Sequence, residues 1–270
     1  MPCGSFRTRN IKRAKSPVHS TSYRIKAIRG LVERRMLSDG IWQNILIMAL
    51  CYVYIGIVIF AAGKIRRFTI SQKASRKFLH AMIGNLVFII PLFTSSLYPV
   101  AVAAPFIVVT FLATPYSPFK ILSLKVKELV AITEKGHHLG LVLYSISYTI
   151  LAFFFASRPY VMAAGVLPMA YGDSVASIVG EKYGKRKYKT IADKSLEGSL
   201  AMFLVSLLSL IVSWVFFSAF YPVLVLRNVF SAVVTAGVAT VAEGFSPLGL
   251  DNLTVPLFGA FIFSLVSVGF

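Results

Sequence analysis

Residues 200–221 read LAMFLVSLLSLIVSWVFFSAFY, a run without a single charged side chain. Residues 41–63, IWQNILIMALCYVYIGIVIFAAG, form a second such run. A helix needs roughly 20 apolar residues to cross the hydrocarbon core of a bilayer, so both runs predict membrane-spanning helices. The whole chain agrees, because 57% of its 270 residues are hydrophobic, only 14% are charged, and the mean hydropathy is +0.75. Soluble domains carry about 25% charged residues, so this composition is typical of an integral membrane protein.

Further apolar segments follow the same pattern along the chain. We expect an all-α, polytopic transmembrane bundle of about seven or eight spans. A single transmembrane domain would occupy residues 41–270 and carry any catalytic site, after a basic N-terminal extension over residues 1–40. Prolines at Tyr98-Pro99, Arg158-Pro159 and Tyr221-Pro222 predict tight turns between neighbouring segments. The predicted segments are 41–63, 78–97, 99–114, 139–156, 159–179, 197–220, 223–243 and 252–270.

The basic residues are distributed asymmetrically between the two sides of this bundle. Four connectors on one side hold sixteen Lys and Arg residues, whereas the opposite turns hold only Arg158 and Arg227. Such a bias places the connector side in the cytoplasm. It also accounts for the net charge of +18 without a nucleic-acid partner. The predicted localisation is therefore a multi-pass membrane protein whose polar face is cytoplasmic.

The first 40 residues conflict with that orientation, because their ten Lys and Arg residues would lie outside. Translation could begin at Met36, residues 1–35 could be a targeting segment that is removed, or segment 41–63 could fail to span. We favour the first two explanations. Residues 1–35 have few apolar positions to bury and are predicted to be disordered in either case.

Three acidic residues, Asp173, Glu197 and Glu243, lie within or at the ends of predicted spans. A carboxylate inside a membrane is costly and indicates a functional site by default. Asp173 is the clearest example, since it lies about 9 Å inside the end of its segment at 1.5 Å per residue. The alternative is a structural ion pair with a nearby Lys or Arg.

Small residues surround Asp173 at helical spacing. Gly172, Ala176 and Gly180 recur every four residues, so they share one helix face, where a ligand or another backbone can approach closely. Helix packing alone would also explain this stripe, but it would not explain the aspartate within it. Gly184 and Lys185 continue the sequence into a basic connector.

That connector has features suited to a nucleotide triphosphate, namely glycine and clustered cations. Lys194 follows the basic run 185–189, and Ser195 is expected to cap the next helix and leave N–H groups available to a phosphate. Glu197 could instead favour the helix dipole. The run 185–189 could merely orient the protein in the membrane.

Two further groups complete the polar face. Arg76, Lys77 and His80 share a helix face, where a histidine beside two cations could bind an anion or move a proton. Asp251 and Asn252 follow a connector without Lys or Arg. Their oxygen atoms are of the type that Mg²⁺ prefers, although Asp251 could also be a helix cap.

Together these motifs resemble the polyprenol kinase family, which comprises dolichol, phytol and farnesol kinases and relatives that phosphorylate diacylglycerol with CTP. The resemblance covers roughly residues 64–260. The Gly-Asp stretch alone is less specific, because phosphatidate cytidylyltransferases share its outline. Those enzymes also carry a His-Gly-Gly-x-x-Asp-Arg signature that this chain lacks. The motifs are Arg76-Lys77-x-x-His80, Gly172-Asp173-x-x-Ala176-x-x-x-Gly180-x-x-x-Gly184-Lys185, Lys194-Ser195-x-Glu197-Gly198 and Glu243…Asp251-Asn252-x-x-Val255-Pro256-Leu257.

The resemblance implies transfer of the γ-phosphate of CTP to a membrane alcohol of the dolichol, phytol or geranylgeraniol type, with Mg²⁺ or another divalent cation. Asp173 and Glu197 would be catalytic or metal-binding carboxylates. The general base would be Glu243, Asp251 or His80, and the sequence does not choose among them. The expected substrate contacts are Arg76, Lys77, Gly180, Gly184, Lys185, Lys194, Ser195, Asp251 and Asn252.

Two other functions fit the sequence less well. A cytidylyltransferase-like enzyme would make a CDP-lipid and release pyrophosphate. A transporter would usually show a repeated half or paired broken spans, and the chain has no internal repeat.

Overall fold

The computed structural model describes residues 17–69, 72–119, 121, 126, 129, 138–191, 193–221, 225–247 and 249–268. The backbone divides into two units, Met1–Gln43 and Asn44–Phe270. The division expected from the sequence, an extension over 1–40 and a transmembrane catalytic domain over 41–270, stays a prediction.

The described chain is built almost entirely of helices. Between α2 and α3 lies a 3₁₀ segment, Asn85–Leu92, and between α6 and α7 lies a π-helical turn, Pro168–Gly172. The helices are α1 Pro17–Thr69, α2 Gln72–Gly84, α3 Leu97–Ala103, α4 Pro105–Leu112, α5 Gly140–Phe155, α6 Pro159–Leu167, α7 Asp173–Lys182, α8 Leu196–Ser218, α9 Val225–Phe245 and α10 Asp251–Val268.

Four described helical stretches are long and apolar enough to cross a membrane: Gly40–Arg66, Pro159–Lys182, Leu196–Ser218 and Asn228–Phe245. They correspond to four of the predicted segments, and an all-α membrane fold is confirmed at that level. Three more segments form shorter apolar helices, Leu97–Leu112, Gly140–Phe155 and Asp251–Ser267. The count of seven or eight spans therefore stays a prediction.

The predicted segment 78–97 is not one regular helix. Its first part belongs to α2, and Pro91 lies in the 3₁₀ segment that follows. Proline has no N–H to donate and disfavours a continued α-helix, which gives the irregularity a local cause.

This irregular segment packs against the π turn of the central helix. Tyr171 donates a hydrogen bond to Asn85 Oδ1, and a Cβ atom placed on Gly84 would collide with Ala170. Because the two irregular segments meet, they fix the relative positions of α2 and α7. These helices carry Lys77 and Asp173.

The stretch Pro159–Gly172 is the centre of the core. Val161, Met162, Ala163, Ala164 and Met169 are fully buried. A helix that is apolar on all sides is expected to be surrounded by other helices, and α8, α10 and the 3₁₀ segment enclose this one. By contrast, much of α8 is exposed and presents large apolar side chains to the lipid.

The connector 180–196 contains a short antiparallel ribbon that the sequence analysis did not predict. Strand β1, Lys187–Lys189, pairs with β2, Asp193–Ser195, so that Tyr188 lies opposite Lys194. The predicted cap is confirmed, because Ser195 Oγ accepts a hydrogen bond from Gly198 N at 3.1 Å and α8 begins at Leu196. Thus the ribbon leads directly into the first turn of α8.

Candidate active site

A polar cavity of about 340 Å³ brings together most of the predicted site residues. It lies between α2, α7, the ribbon and the adjoining ends of α8, α9 and α10. Of the described residues, those that line it are Lys73, Arg76, Lys77, Asp173, Ala176, Ser177, Gly180, Glu181, Lys187, Asp193, Lys194, Ser195, Gly198, Ser199, Glu243 and Asp251.

Asp173 forms a buried ion pair with Lys77 in this cavity. The side chains are only 5% and 8% exposed, respectively, so the pair is shielded from water. Ser174 Oγ also donates a hydrogen bond to the Lys77 carbonyl oxygen at 3.3 Å, which ties α7 to α2. Asp173 follows the π turn directly, and such turns often occur at functional sites. Both sequence interpretations of Asp173, a structural pair and a site residue, are thus compatible with its position.

A second ion pair joins Lys194 in β2 to Glu243 near the end of α9. Burial acts to lower the pKa of Lys194, but the Glu243 carboxylate more than offsets it, and the pKa lies above its ordinary value. Lys194 therefore remains a cation at neutral pH. The sequence predicted Lys194 as a phosphate contact and Glu243 as a candidate base, and the structure places them in direct contact with each other.

His80 lies deeper in the protein than Arg76 and Lys77. Its imidazole stacks on the ring of Tyr144 with 4.7 Å between centroids, and the Tyr144 hydroxyl donates to the His80 carbonyl oxygen at 3.2 Å. His80 is almost fully buried and is not among the residues that line the polar cavity. Arg76, Lys77 and His80 lie on one helix, but Arg76 and Lys77 face the polar cavity and His80 does not.

Asp251 and Asn252 form the first turn of α10. Asp251 lines the cavity, and its Oδ1 atom accepts hydrogen bonds from the backbone and side-chain nitrogens of Asn252 at 2.9 and 3.0 Å. Asn252 also donates to the carbonyl oxygen of Gly249, whose φ of 84° favours glycine. Since Asn252 is buried, it holds the turn that presents Asp251.

Glu197, Lys185 and Gly184 lie outside the set that lines the cavity. The carboxylate of Glu197 accepts from the backbone N–H of Arg186 at 3.2 and 3.3 Å, so it faces the start of the ribbon. Lys185 is exposed. A side chain at Gly184 would meet the Gly180 carbonyl oxygen, which shows that Gly184 is packed against α7.

The glycines of the small-residue stripe, together with Gly198 in the first turn of α8, mediate helix packing. A Cβ on Gly172 would collide with Ser206, and one on Gly198 would lie 3.2 Å from Gly180 Cα. Close contact between α7 and α8 therefore requires these small residues. Among the described glycines, Gly180 and Gly198 also line the cavity.

Several lining residues were not singled out from the sequence. Lys73 pairs with Glu181 at 3.0 Å, and Lys187 Nζ donates to the Gly180 carbonyl oxygen at 2.9 Å. Lys73 precedes Lys77 by one helical turn, which was a usable signal. Asp193 and Lys187 face the cavity because of the ribbon, and no sequence pattern had indicated strands there.

The carboxylates of the cavity allow a test of the predicted metal site. Within the described parts of the chain, no three His, Cys, Asp or Glu residues are close enough to hold a metal ion by themselves. Mg²⁺ in kinase sites is usually held by one or two carboxylates together with substrate phosphates, so this arrangement fits such a shared ion. Asp173 and Asp251 line the same cavity and interact electrostatically, whereas Glu197 is directed elsewhere.

Three known proteins with similar sequences are named as kinases. A phytol kinase from Synechocystis sp. is 29% identical over 238 residues, which make up 86% of this chain and 95% of that protein. A dolichol kinase from Saccharomyces cerevisiae is 28% identical over 225 residues, 80% of this chain but 40% of the yeast protein. A CTP-dependent diacylglycerol kinase 1 from Schizosaccharomyces pombe is 30% identical over 139 residues, 50% of this chain and 63% of that protein.

No family model and no solved structure matches the chain. The similarity to the cyanobacterial protein nevertheless extends over nearly the whole of both sequences. The fold also brings Lys77, Asp173, Lys194 and Glu243 to one cavity. These similarities support the resemblance to the polyprenol kinase family that the sequence motifs indicate.

Proposed function

We propose that this protein is a CTP-dependent kinase that phosphorylates a membrane long-chain alcohol of the dolichol, phytol or geranylgeraniol type to its monophosphate. The observation that carries the proposal is one cavity that holds two lysine–carboxylate pairs and lies beside apolar helices. Relatives named phytol kinase, dolichol kinase and CTP-dependent diacylglycerol kinase support the same chemistry.

The reaction transfers a phosphoryl group between two oxygen atoms. The alcohol oxygen attacks the γ-phosphorus of CTP, the bond from that phosphorus to the β–γ bridging oxygen breaks, and CDP leaves. Such a transfer depends mostly on positioning and on neutralising charge. Lys77, Lys194 and Arg76 surround the space where the phosphates would lie, and each supplies a positive charge there.

The hydroxyl proton must pass to a base in the cavity. Glu243 and Asp173 are already engaged by lysines, and His80 does not line the cavity. Asp251 hydrogen-bonds to Asn252 and lines the cavity without a lysine or arginine partner among the described residues. It is therefore our choice for the residue that accepts the proton.

Mg²⁺ or another divalent cation, bound together with the nucleotide, would neutralise charge on the transferred phosphate. Asp173 is the carboxylate we assign to hold it, together with oxygen atoms of the substrate phosphates. The N–H groups at the start of α8 are a further phosphate contact, since Ser195 caps that helix and lines the cavity. Glu197 would hold the ribbon in place through Arg186.

We assign the cavity to the cytoplasmic face, where CTP is available and where the basic connectors belong. Single cysteines at Ser157 and Lys189, in a protein with Cys3 and Cys51 replaced by serine, report the orientation. Both positions are exposed. An impermeant thiol reagent should label the cysteine at 157 in intact cells and the cysteine at 189 only after permeabilisation.

The decisive experiment uses the purified protein in lipid vesicles with γ-labelled CTP, Mg²⁺, and a panel of prenols, diacylglycerol and phosphatidate. Label in an alcohol monophosphate supports the kinase. Unlabelled lipid together with labelled pyrophosphate indicates a cytidylyltransferase, and transfer to neither product contradicts both enzymes. Lys182→Ala is a suitable control variant, because Lys182 is exposed and does not line the cavity.

A further inference from the structure

A second cavity, apolar and smaller than the polar one, lies between α1, α2, α4 and α5. Its volume is about 60 Å³. Its walls include Ile55 of α1, Leu79 of α2, Phe106 of α4 and Leu141 of α5, and Ala103 of α3 closes one side. The proposed mechanism makes no use of this space.

The polar atoms along its wall are mostly satisfied within the protein. Ser145 Oγ donates to the Leu141 carbonyl oxygen at 3.0 Å, and Thr110 Oγ1 donates to the Phe106 carbonyl oxygen. The cavity therefore presents a hydrocarbon surface and suits an apolar group.

Two helices run from the polar cavity into the apolar one. On α2, Arg76 lines the first and Leu79 lines the second, and three residues correspond to about 4.5 Å of rise. On α5, Gly140 approaches Arg76 while the next residue, Leu141, lines the apolar cavity. A group bound in the apolar cavity is thus about one helical turn from the charged site.

The stacked rings of His80 and Tyr144 occupy this junction. His80 lies one turn beyond Arg76 on α2, and Tyr144 lines the apolar cavity. An alcohol whose chain lies in the apolar cavity would have to extend past these rings to bring its hydroxyl to the charged side chains.

The volume limits what the cavity can hold. A water-sized group needs roughly 10–15 Å³ of cavity volume, so 60 Å³ holds about four to six such groups. An isoprene unit has five carbon atoms, whereas a complete polyprenol chain or a pair of acyl chains is several times larger. Half-buried Ile59 and Phe106 form part of the wall, so the remainder of a chain can leave towards the lipid.

We propose that the apolar cavity binds the isoprene unit next to the hydroxyl of the lipid alcohol. The enzyme would then select for the methyl branch at the head of the chain and not for chain length. This inference rests on the proposed kinase function, and it specifies which part of the substrate is recognised.

Selection is measured with wild-type protein, γ-labelled CTP and alcohols presented in vesicles. The panel contains farnesol and geranylgeraniol, which are branched, n-hexadecanol, which is linear, and dioleoylglycerol. One methyl group in an apolar pocket changes specificity by about 10- to 200-fold. We expect kcat/KM to favour both branched alcohols over n-hexadecanol by at least about tenfold, and to differ between them by less than about threefold.

Ala103→Leu fills the cavity, and Ala101→Leu is the matched control because the same substitution then lies on an exposed position of the same helix. Ala103→Leu should lower kcat/KM for branched alcohols by about tenfold or more and leave the KM for CTP unchanged. Ala101→Leu should change neither. If Ala103→Leu folds poorly, Ile83→Ala enlarges the cavity from a half-buried position and should also weaken the preference for branched alcohols.

The outcomes separate the inference from the function on which it rests. Three results would overturn the inference while the kinase function stands. The first is equal kcat/KM for n-hexadecanol and farnesol, and the second is a preference for dioleoylglycerol. The third is the same loss of activity in Ala103→Leu and Ala101→Leu. Phosphorylation of none of the lipids would overturn the proposed function itself.

Discussion

The two ion pairs of the polar cavity differ in how far they are withdrawn from water. In the Lys77–Asp173 pair the side chains are 8% and 5% exposed, whereas in the Lys194–Glu243 pair they are 22% and 7% exposed. The first pair joins two packed helices, and the second joins a helix to a surface ribbon. Breaking a buried ion pair strongly destabilises the fold. A more accessible lysine can exchange its carboxylate partner for a phosphate at a lower cost in free energy. The Lys77–Asp173 pair is therefore suited to holding Asp173 in a fixed position. The Lys194–Glu243 pair is suited to opening when a nucleotide binds.

The largest expected effect follows from Asp173→Asn. Loss of the carboxylate should lower kcat by about 10²–10³-fold or more, the scale on which removal of one charge-stabilising group acts in an active site. The variant also leaves the Lys77 charge buried without its partner, which costs about 3–5 kcal/mol of stability. Phosphorylation assays and thermal unfolding of the purified protein measure the two effects.

The double variant Lys77→Gln/Asp173→Asn separates catalysis from folding. It removes both charges, so it should recover most of the lost thermal stability and none of the activity. Near-wild-type turnover in either variant would refute a catalytic or metal-binding role for Asp173.

A smaller effect is expected from Lys194→Ala. A hydrogen bond to a charged group is worth about 1.5–3 kcal/mol, so the KM for CTP should rise about 10- to 100-fold. The KM for the alcohol should change by less than about threefold, since the lipid chain does not reach the ribbon in our assignment. Lys182→Ala, on the exposed end of α7, should behave like wild type. Unchanged nucleotide dependence in Lys194→Ala would place the triphosphate elsewhere.

The smallest effect is expected from Glu197→Gln. The amide oxygen of glutamine can still accept the hydrogen bond from Arg186 N, so kcat should fall by less than about threefold and the Mg²⁺ dependence should stay the same. If Glu197 were a metal ligand, its replacement by glutamine would change both kcat and the Mg²⁺ dependence. A large loss of activity with a shifted Mg²⁺ requirement would instead support the sequence-based prediction that Glu197 binds the metal.

The sequence predicted those features that depend on local composition. Long apolar runs located the spanning helices, and Ser195 identified the start of α8. The cost of a carboxylate in a membrane was enough to single out Asp173. The alternation of small residues on α7 was visible as well, although it served helix packing more than ligand approach.

Features that depend on tertiary contacts were not predictable. Lys77 and Asp173 are separated by 96 positions, and Lys194 and Glu243 by 49, so no local pattern indicates which lysine meets which carboxylate. The ribbon was missed because its strands are only three residues long and lie in a basic connector. Glu197 was grouped with Asp173 by motif, yet its hydrogen bonds to Arg186 turn it towards the ribbon.

The π turn at Pro168–Gly172 determines the direction in which each side chain of the following helix, α7, points. Each residue in an α-helix advances the chain by about 100° and 1.5 Å. Deletion of one residue from the turn would therefore rotate α7 by about 100° and turn Asp173 away from Lys77. Insertions and deletions are tolerated in many loops, but in this protein a change of one residue within a buried helix would separate the carboxylate from its cavity without altering a single amino acid of the site.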